Sequence, residues 1–202
     1  MSEPRPLAEA DLVDLMRTSG ALLEGHFLLT SGLHSPVYLQ CARLLMDPGR
    51  AARVAEGLHA GLAARGVGRI EAVVAPAMGG IILGYELARR LPALSLFAER
   101  ETGRFTLRRG FALAPGTRVV VAEDVVTTGL STRECIACVR NTGAEVAAAC
   151  CIVDRSGGRA EIGVPLIALA TLDLPTYAPD ALPPSLAAVP AVKPGSRPGV
   201  AP

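Results

Sequence analysis

Lysine is almost missing from this chain of 202 residues. Lys193 is the only one, and arginine supplies every other basic side chain. A guanidinium stays charged at any ordinary pH, so no chemistry that needs a lysine acid is expected in the body of the molecule. No run of about 18 consecutive apolar residues occurs, which excludes a membrane-spanning helix. The opening Met-Ser-Glu-Pro-Arg-Pro lacks the basic-then-apolar layout of a secretory signal, so a cytoplasmic protein is expected. Charge of one sign is also lacking: the net charge is +1 with 19% charged residues, which argues against a nucleic-acid surface and against a disordered chain. Five cysteines, an odd number without framework spacing, fit a reducing compartment. Cys135 and Cys138 form a CxxC with no second CxxC and no nearby histidine, and Cys150 and Cys151 sit in an apolar run. All are read as small buried side chains rather than a metal or redox site.

What is present is one domain's worth of alternating apolar segments. Leu7 to about Arg17 has helical spacing, Phe27–Gln40 reads as two strands around a Ser-Gly turn, and Pro48 opens a helix running to about Arg65. Strands are then expected at Ile70–Ala75, Ala93–Ala98, Val119–Ala122, Val146–Val153 and Leu166–Leu172. Helices fall between them at Gly80–Arg90 and at about Ser131–Asn141. Short apolar strands alternating with helices predict an α/β fold, a parallel sheet covered on both faces. The charged, glycine-containing segment Glu99–Phe111 interrupts the rhythm and reads as an exposed ribbon or arm. From Ala178 onward the chain is rich in proline and alanine and is expected to add little to the core. No internal repeat is found.

The most informative stretch is Val119-Val-Val-Ala-Glu-Asp-Val-Val-Thr-Thr-Gly-Leu-Ser-Thr132. Ligands of open α/β sheets gather beyond the carboxyl ends of the strands, and Glu123 and Asp124 lie at that edge. The turn Thr127, Thr128, Gly129, Leu130, Ser131, Thr132 leads into a helix and offers backbone N–H groups, hydroxyls and a positive helix end, a combination suited to a phosphate. Two carboxylates just before it suit the hydroxyls of a sugar, directly or through magnesium. The order of these residues points to a sugar phosphate. The Walker pattern GxxxxGK[ST] is absent, so a P-loop hydrolase is not implied.

This segment resembles the phosphoribosyl-diphosphate signature of the type I phosphoribosyltransferases. Three further segments are similar to the orotate branch of that family. Leu29-Thr-Ser-Gly-Leu-His-Ser-Pro-Val-Tyr-Leu39, with Ser31 and Tyr38, resembles the part that helps cover the base. Val74-Ala-Pro-Ala-Met-Gly-Gly-Ile81 resembles the pyrophosphate loop, with Ala77, Met78, Gly79 and Gly80 as its contacts. Val153-Asp-Arg-Ser-Gly-Gly158 resembles the segment whose arginine meets the orotate carboxylate. A planar guanidinium is the natural bidentate partner of that carboxylate, which other bases lack, so Arg155 is the candidate selector. Tyr38 either stacks on the base or packs a core edge.

The resemblance implies a type I phosphoribosyltransferase-like central sheet in residues 1–177, with a small N-terminal hood mainly in 1–45, a mobile β-ribbon loop at 99–111 and a tail at 178–202. It implies magnesium-dependent transfer of phosphoribosyl to orotate in pyrimidine biosynthesis. It also implies a homodimer whose arms reach the neighbouring site, with no nucleic acid or membrane partner. The chain departs from the family's pattern where lysines and a histidine are expected in the arm. Phe105 falls where the histidine would be, Gly103 and Gly79 where lysines would be, and Thr30 replaces a lysine near the base. Arg100 and Arg104, backed by Arg108 and Arg109, are therefore the expected clamp on the leaving diphosphate, and Glu123 and Asp124 the expected acids at the reacting carbon. His26, His34 and His59 are read as surface or turn residues. Two alternatives stay open: a transferase acting on a purine or another base, and a non-catalytic sensor of phosphoribosyl diphosphate.

Overall fold

The computed structural model describes residues 6–29 and 31–193. Thr30, and the part of the tail beyond Lys193, lie outside the described residues. The main sheet has six strands: β3 (Ala72–Pro76), β4 (Leu94–Glu101), β5 (Arg104–Leu107), β6 (Arg118–Val126), β7 (Glu145–Asp154) and β8 (Leu166–Thr171). Their order is β5-β4-β3-β6-β7-β8, and all neighbours run parallel except the edge pair β4 and β5. A separate hairpin joins β1 (Leu22–Leu28) and β2 (His34–Leu39). The helices are α1 (Glu9–Thr18), α2 (Cys41–Leu45), α3 (Pro48–Ala64), α4 (Ile81–Arg90), α5 (Leu130–Arg140) and the short α6 (Pro184–Ala187).

Successive side chains of a strand point to opposite faces, and the central strands are apolar on both. Val73, Val120, Ala122, Ala148 and Cys150 pack in one buried cluster with residues of α1 to α4, whereas Ala72, Val74, Val119, Val121 and Ala149 pack in a second with α5. Small residues set how closely the layers approach. A Cβ on Gly61 of α3 would lie 2.7 Å from Ile167 of β8, and one on Gly84 of α4 would lie 2.9 Å from Ala75 of β3. At about 25 cal/mol per Å² of apolar surface removed from water, these two layers supply most of the driving force for folding.

From β3 the chain moves through α4 to β4 on one side, then returns through β5 to β6 on the other. Connections therefore diverge at the carboxyl ends of β3 and β6, the place where open α/β sheets form a crevice. No described helix is long and apolar enough to cross a membrane.

Two expectations need correction and a third is refined. β6 does not end at Ala122: its ladder with β7 continues through Val125↔Val153 and Val126↔Asp154, so Glu123 and Asp124 belong to the strand. The tail from Ala178 adds no described residue to either core cluster, as expected, but it is anchored: Val192 is bridged to Phe27 and Leu186 is buried, so the segment packs over the hairpin. Nor is His26 a surface residue. It is 5% exposed, with Nδ1 2.6 Å from the Val189 carbonyl and Nε2 2.5 Å from His34 Nδ1.

Candidate active site

Glu123 and Asp124 emerge between the ends of β3 and β6 with their carboxyls mostly buried, and burial raises the pKa of both above the usual carboxylate range. Glu123 reaches about 7. Burial is the main cause, the neighbouring Asp124 adds to it, and a hydrogen bond from Thr132 and the Arg100 charge pull the other way. Thr132, 1% exposed in the first turn of α5, donates from Oγ1 to Glu123 Oε2 at 2.8 Å. Asp124 accepts from the Val125 N–H at 3.0 Å. The acids are therefore held rigidly, and one of them titrates near neutrality.

Opposite them lies the loop Ala77–Gly80 after β3. Ala77 N–H is anchored to the Ala98 carbonyl of β4 at 2.8 Å, the Ala77–Met78 peptide is cis, and the Met78 side chain is exposed. A Cβ on Gly79 would lie 2.7 Å from Asp124 Oδ2, and one on Gly80 would lie 2.7 Å from the Ala122 carbonyl. The loop backbone thus lies directly against the acid, and a lysine at position 79 would require Asp124 to move. The loop leads directly into the N-terminus of α4, an arrangement suited to oxyanions.

The turn Thr127, Thr128, Gly129 carries the chain from β6 into α5. Gly129 takes φ +74°, and a Cβ there would meet Ile162 at 2.7 Å, so only glycine fits. Thr128 Oγ1 accepts from the Leu130 N–H at 3.4 Å, and the Arg133 guanidinium holds the Thr128 carbonyl at 3.0 Å. Leu130 and Ser131 open the helix, and a helix N-terminus of this kind is suited to an oxyanion.

Arg155 follows β7. Its neighbour Asp154, 3% exposed, does not pair with it. Asp154 instead accepts the backbone N–H groups of Ser156 at 2.7 Å and Gly158 at 3.0 Å, fixing the loop. Burial lowers the Arg155 pKa, and its Nε is buried with no hydrogen-bond partner. This guanidinium lines a cavity of about 590 Å³ together with Leu29, Ser31, Tyr38, Thr127 and Thr128. The hood and the Thr127–Thr128 turn therefore share one space. Tyr38 lines the cavity, and its ring lies 5.7 Å from that of Phe27.

The arm is a ribbon. β5 pairs antiparallel with the end of β4, turning at Thr102 and Gly103. Arg100 sits beside the site, with Nη2 2.5 Å from Glu134 Oε2 on α5 and its guanidinium 4.3 Å above the Phe105 ring. Phe105 is buried in the core beneath it. Arg108 pairs with Glu101 and Arg109 with Glu99. Arg104 is exposed and, among the described residues, has no ion-pair partner. Sequence reasoning missed Arg159, Asp173 and Lys193, which line the same cavity. The isolated lysine in an arginine chain was the available signal for the last of these.

The phosphoribosyl transferase domain model matches residues 50–165. Over 188 residues the chain is 55% identical to the orotate phosphoribosyltransferase of Methylorubrum populi, covering 93% of this chain and 95% of that one. That of Caulobacter vibrioides is 56% identical over 187 residues, covering 93% and 96%. The chain belongs to the orotate phosphoribosyltransferase family. Among solved structures, the orotate phosphoribosyltransferase of Aeropyrum pernix aligns with a TM-score of 0.63 at 32% identity, covering 79% of this chain and 93% of that one. An adenine phosphoribosyltransferase aligns with a TM-score of 0.62 at 16% identity, which shows the shared type I fold alone. Within the orotate phosphoribosyltransferase family the chain is a pentosyl-transferring enzyme of pyrimidine biosynthesis.

Proposed function

We propose that the cavity between hood and β7 receives orotate, that the Thr127–Thr132 turn holds the 5-phosphate of phosphoribosyl diphosphate, and that the Ala77–Gly80 loop holds its diphosphate. One observation carries this reading. A half-buried arginine with an unpartnered Nε lines a cavity that also reaches the phosphate turn. A guanidinium so placed leaves a polar group unsatisfied, and a carboxylate on a flat ring satisfies it with two parallel hydrogen bonds.

In the reaction the ring nitrogen of orotate bonds to the anomeric carbon as the bond to the diphosphate oxygen breaks. The nitrogen's proton is lost, and orotidine monophosphate and pyrophosphate result. Positive charge develops on the ribose, where Glu123 and Asp124 stand, and negative charge on the leaving diphosphate, where loop amides and the arm's arginines Arg100 and Arg104 gather. The residues position and stabilise; none forms a covalent intermediate.

Magnesium fits this site in a limited way. Among the described residues no group of three or more His, Cys, Asp or Glu side chains is arranged to hold a metal. Two carboxylates beside a diphosphate site suit a hard cation held chiefly by substrate oxygens and water, with Glu123 and Asp124 contributing through the ribose hydroxyls or water. Bound there, magnesium would neutralise the charge gathering on the diphosphate.

A homodimer completes the reading. Ile82 and Tyr85 are exposed within one turn of α4, next to exposed Met78 of the diphosphate loop, which suits a second copy on that face. Five free cysteines, four of them buried, suit a reducing cytoplasm. The test is pyrophosphate release with magnesium and phosphoribosyl diphosphate, offering orotate, uracil, hypoxanthine, guanine and adenine separately. Turnover with orotate alone is expected. Turnover with a base lacking a carboxylate would remove Arg155 as selector.

A further inference from the structure

We propose that Asp154 is a positioning residue for acceptor selection: its buried carboxylate shapes the loop after β7 so that the Arg155 guanidinium is left for the carboxylate of the acceptor. The inference deepens the proposed function and rests on the cavity lined by Arg155 being the acceptor site.

An aspartate followed by an arginine at a strand end is a pair that charge alone would join, and here the fold separates it. Asp154 is the last residue of β7, in register with Val126 of β6 and Thr171 of β8. Its carbonyl accepts from the Leu172 N–H at 2.8 Å, and the next N–H, that of Arg155, donates to the Val126 carbonyl at 2.8 Å. Strand geometry sends neighbouring side chains to opposite faces. Accordingly, Asp154 borders one cavity together with Gly158 and Ala160, whereas Arg155 borders another together with Tyr38 and Thr127.

The carboxylate is then closed off by its own loop. At 3% exposure it is tolerated only if hydrogen-bonded, and each oxygen has an amide: Oδ1 accepts from the Ser156 N–H at 2.7 Å and Oδ2 from the Gly158 N–H at 3.0 Å. The chain can fold back this tightly because Gly157 and Gly158 take φ +62° and +82°. Ser156 Oγ, accepting from the Ala160 N–H at 2.8 Å, ties the far end. With both oxygens occupied, the acid nearest to Arg155 in the chain does not compete for it. Arg155 Nε stays buried with no hydrogen-bond partner, and the backbone bond to Val126, the residue before Thr127, sets where its side chain starts. Asp154 thus acts through the loop it shapes, without touching the acceptor.

The experiment compares wild-type protein with Asp154→Asn, Ser156→Ala and Arg155→Ala. It measures steady-state kinetics and calorimetric affinity for orotidine 5′-monophosphate and uridine 5′-monophosphate, which differ by the carboxylate alone. A carboxamide has one acceptor oxygen and turns its amino group toward the other N–H, so Asp154→Asn loses a hydrogen bond to a charged group and loosens the loop. The orotate KM should rise and the preference for orotidine over uridine monophosphate should fall, each by about 10- to 100-fold, while the KM for phosphoribosyl diphosphate changes little. Ser156→Ala keeps Asp154 and removes the neutral bond to Ala160, so it should lower the same preference by about two- to tenfold. It carries the test alone if Asp154→Asn does not fold. An unchanged preference in folded Asp154→Asn, or in Ser156→Ala where that variant stands alone, overturns the proposal. So does equal weakening of both nucleotides, the mark of a residue that only supports the fold. If Arg155→Ala leaves the preference intact, the cavity is not the acceptor site, and that failure is distinct from an inert Asp154 beside a sensitive Arg155.

Discussion

A carboxyl group that titrates near 7 sets the pH behaviour of the site. Glu123 is raised from 4.5 to about 7 chiefly by burial, so the folded protein binds its proton more tightly than the unfolded chain does. Its favourable contribution is complete below about 4.5 and is lost as pH rises through about 7. A shift of this size corresponds to roughly 3 kcal/mol of destabilisation of the ligand-free protein at pH 8. Glu123→Gln is therefore expected to raise the melting temperature at pH 8 and to change it far less at pH 5. The same variant should lower kcat by about 10- to 1000-fold, because a charge facing the developing cation is removed. Paired thermal scans at the two pH values check the first, and initial rates the second; a pH-independent gain would show that Glu123 is not the group being desolvated. The residue types of the acid pair were readable in the sequence. Their burial was not, because it follows from the Gly79 backbone lying against Asp124 and from Thr132 closing over Glu123.

At the scale of elements, legibility followed burial. β3 and β7 are buried along nearly their whole length, so they appear in the sequence as apolar runs and were placed within two residues. The end of β6 was misplaced because two acids look like a loop, whereas the ladder to β7 carries them inside the strand. The anchoring of the tail was hidden for the opposite reason: proline and alanine carry no periodicity, and the tail is held by bonds to β1 that no local pattern announces. The short helix α2 went unpredicted because five residues cannot establish a helical period. The arm was recognised as a ribbon, but its arginines differ in ways the sequence conceals. Arg100, Arg108 and Arg109 are already engaged by Glu134, Glu101 and Glu99, whereas Arg104 keeps its charge for a ligand. Arg104→Ala is expected to raise the KM for phosphoribosyl diphosphate by about tenfold at unchanged melting temperature, a loss appropriate to one charge-assisted contact. An equal effect from Arg108→Ala would show that the ribbon acts through bulk charge instead.

The whole molecule presents an apolar strip beside its reactive crevice. Met78 belongs to the loop after β3, and Ile82 and Tyr85 to the helix that follows it, so assembly through this face would couple subunit contact to loop position. Tyr85→Arg is expected to shift sedimentation from dimer to monomer and to lower kcat together, although Tyr85 itself touches no substrate. A monomeric variant with full activity would separate the two and remove the dimer from the mechanism. Hood, sheet and tail likewise form one mechanical unit, since the cavity is walled by residues as far apart in the chain as Leu28 and Lys193. That distance has a consequence during synthesis. A nascent chain can pair β3 with β4 as soon as both have left the ribosome, but β1 must wait for more than 160 further residues before Val192 arrives beside it. Fragments released early by stalled translation would carry the crevice at the ends of β3 and β6 without the tail segment that bonds to β1 and helps wall the cavity.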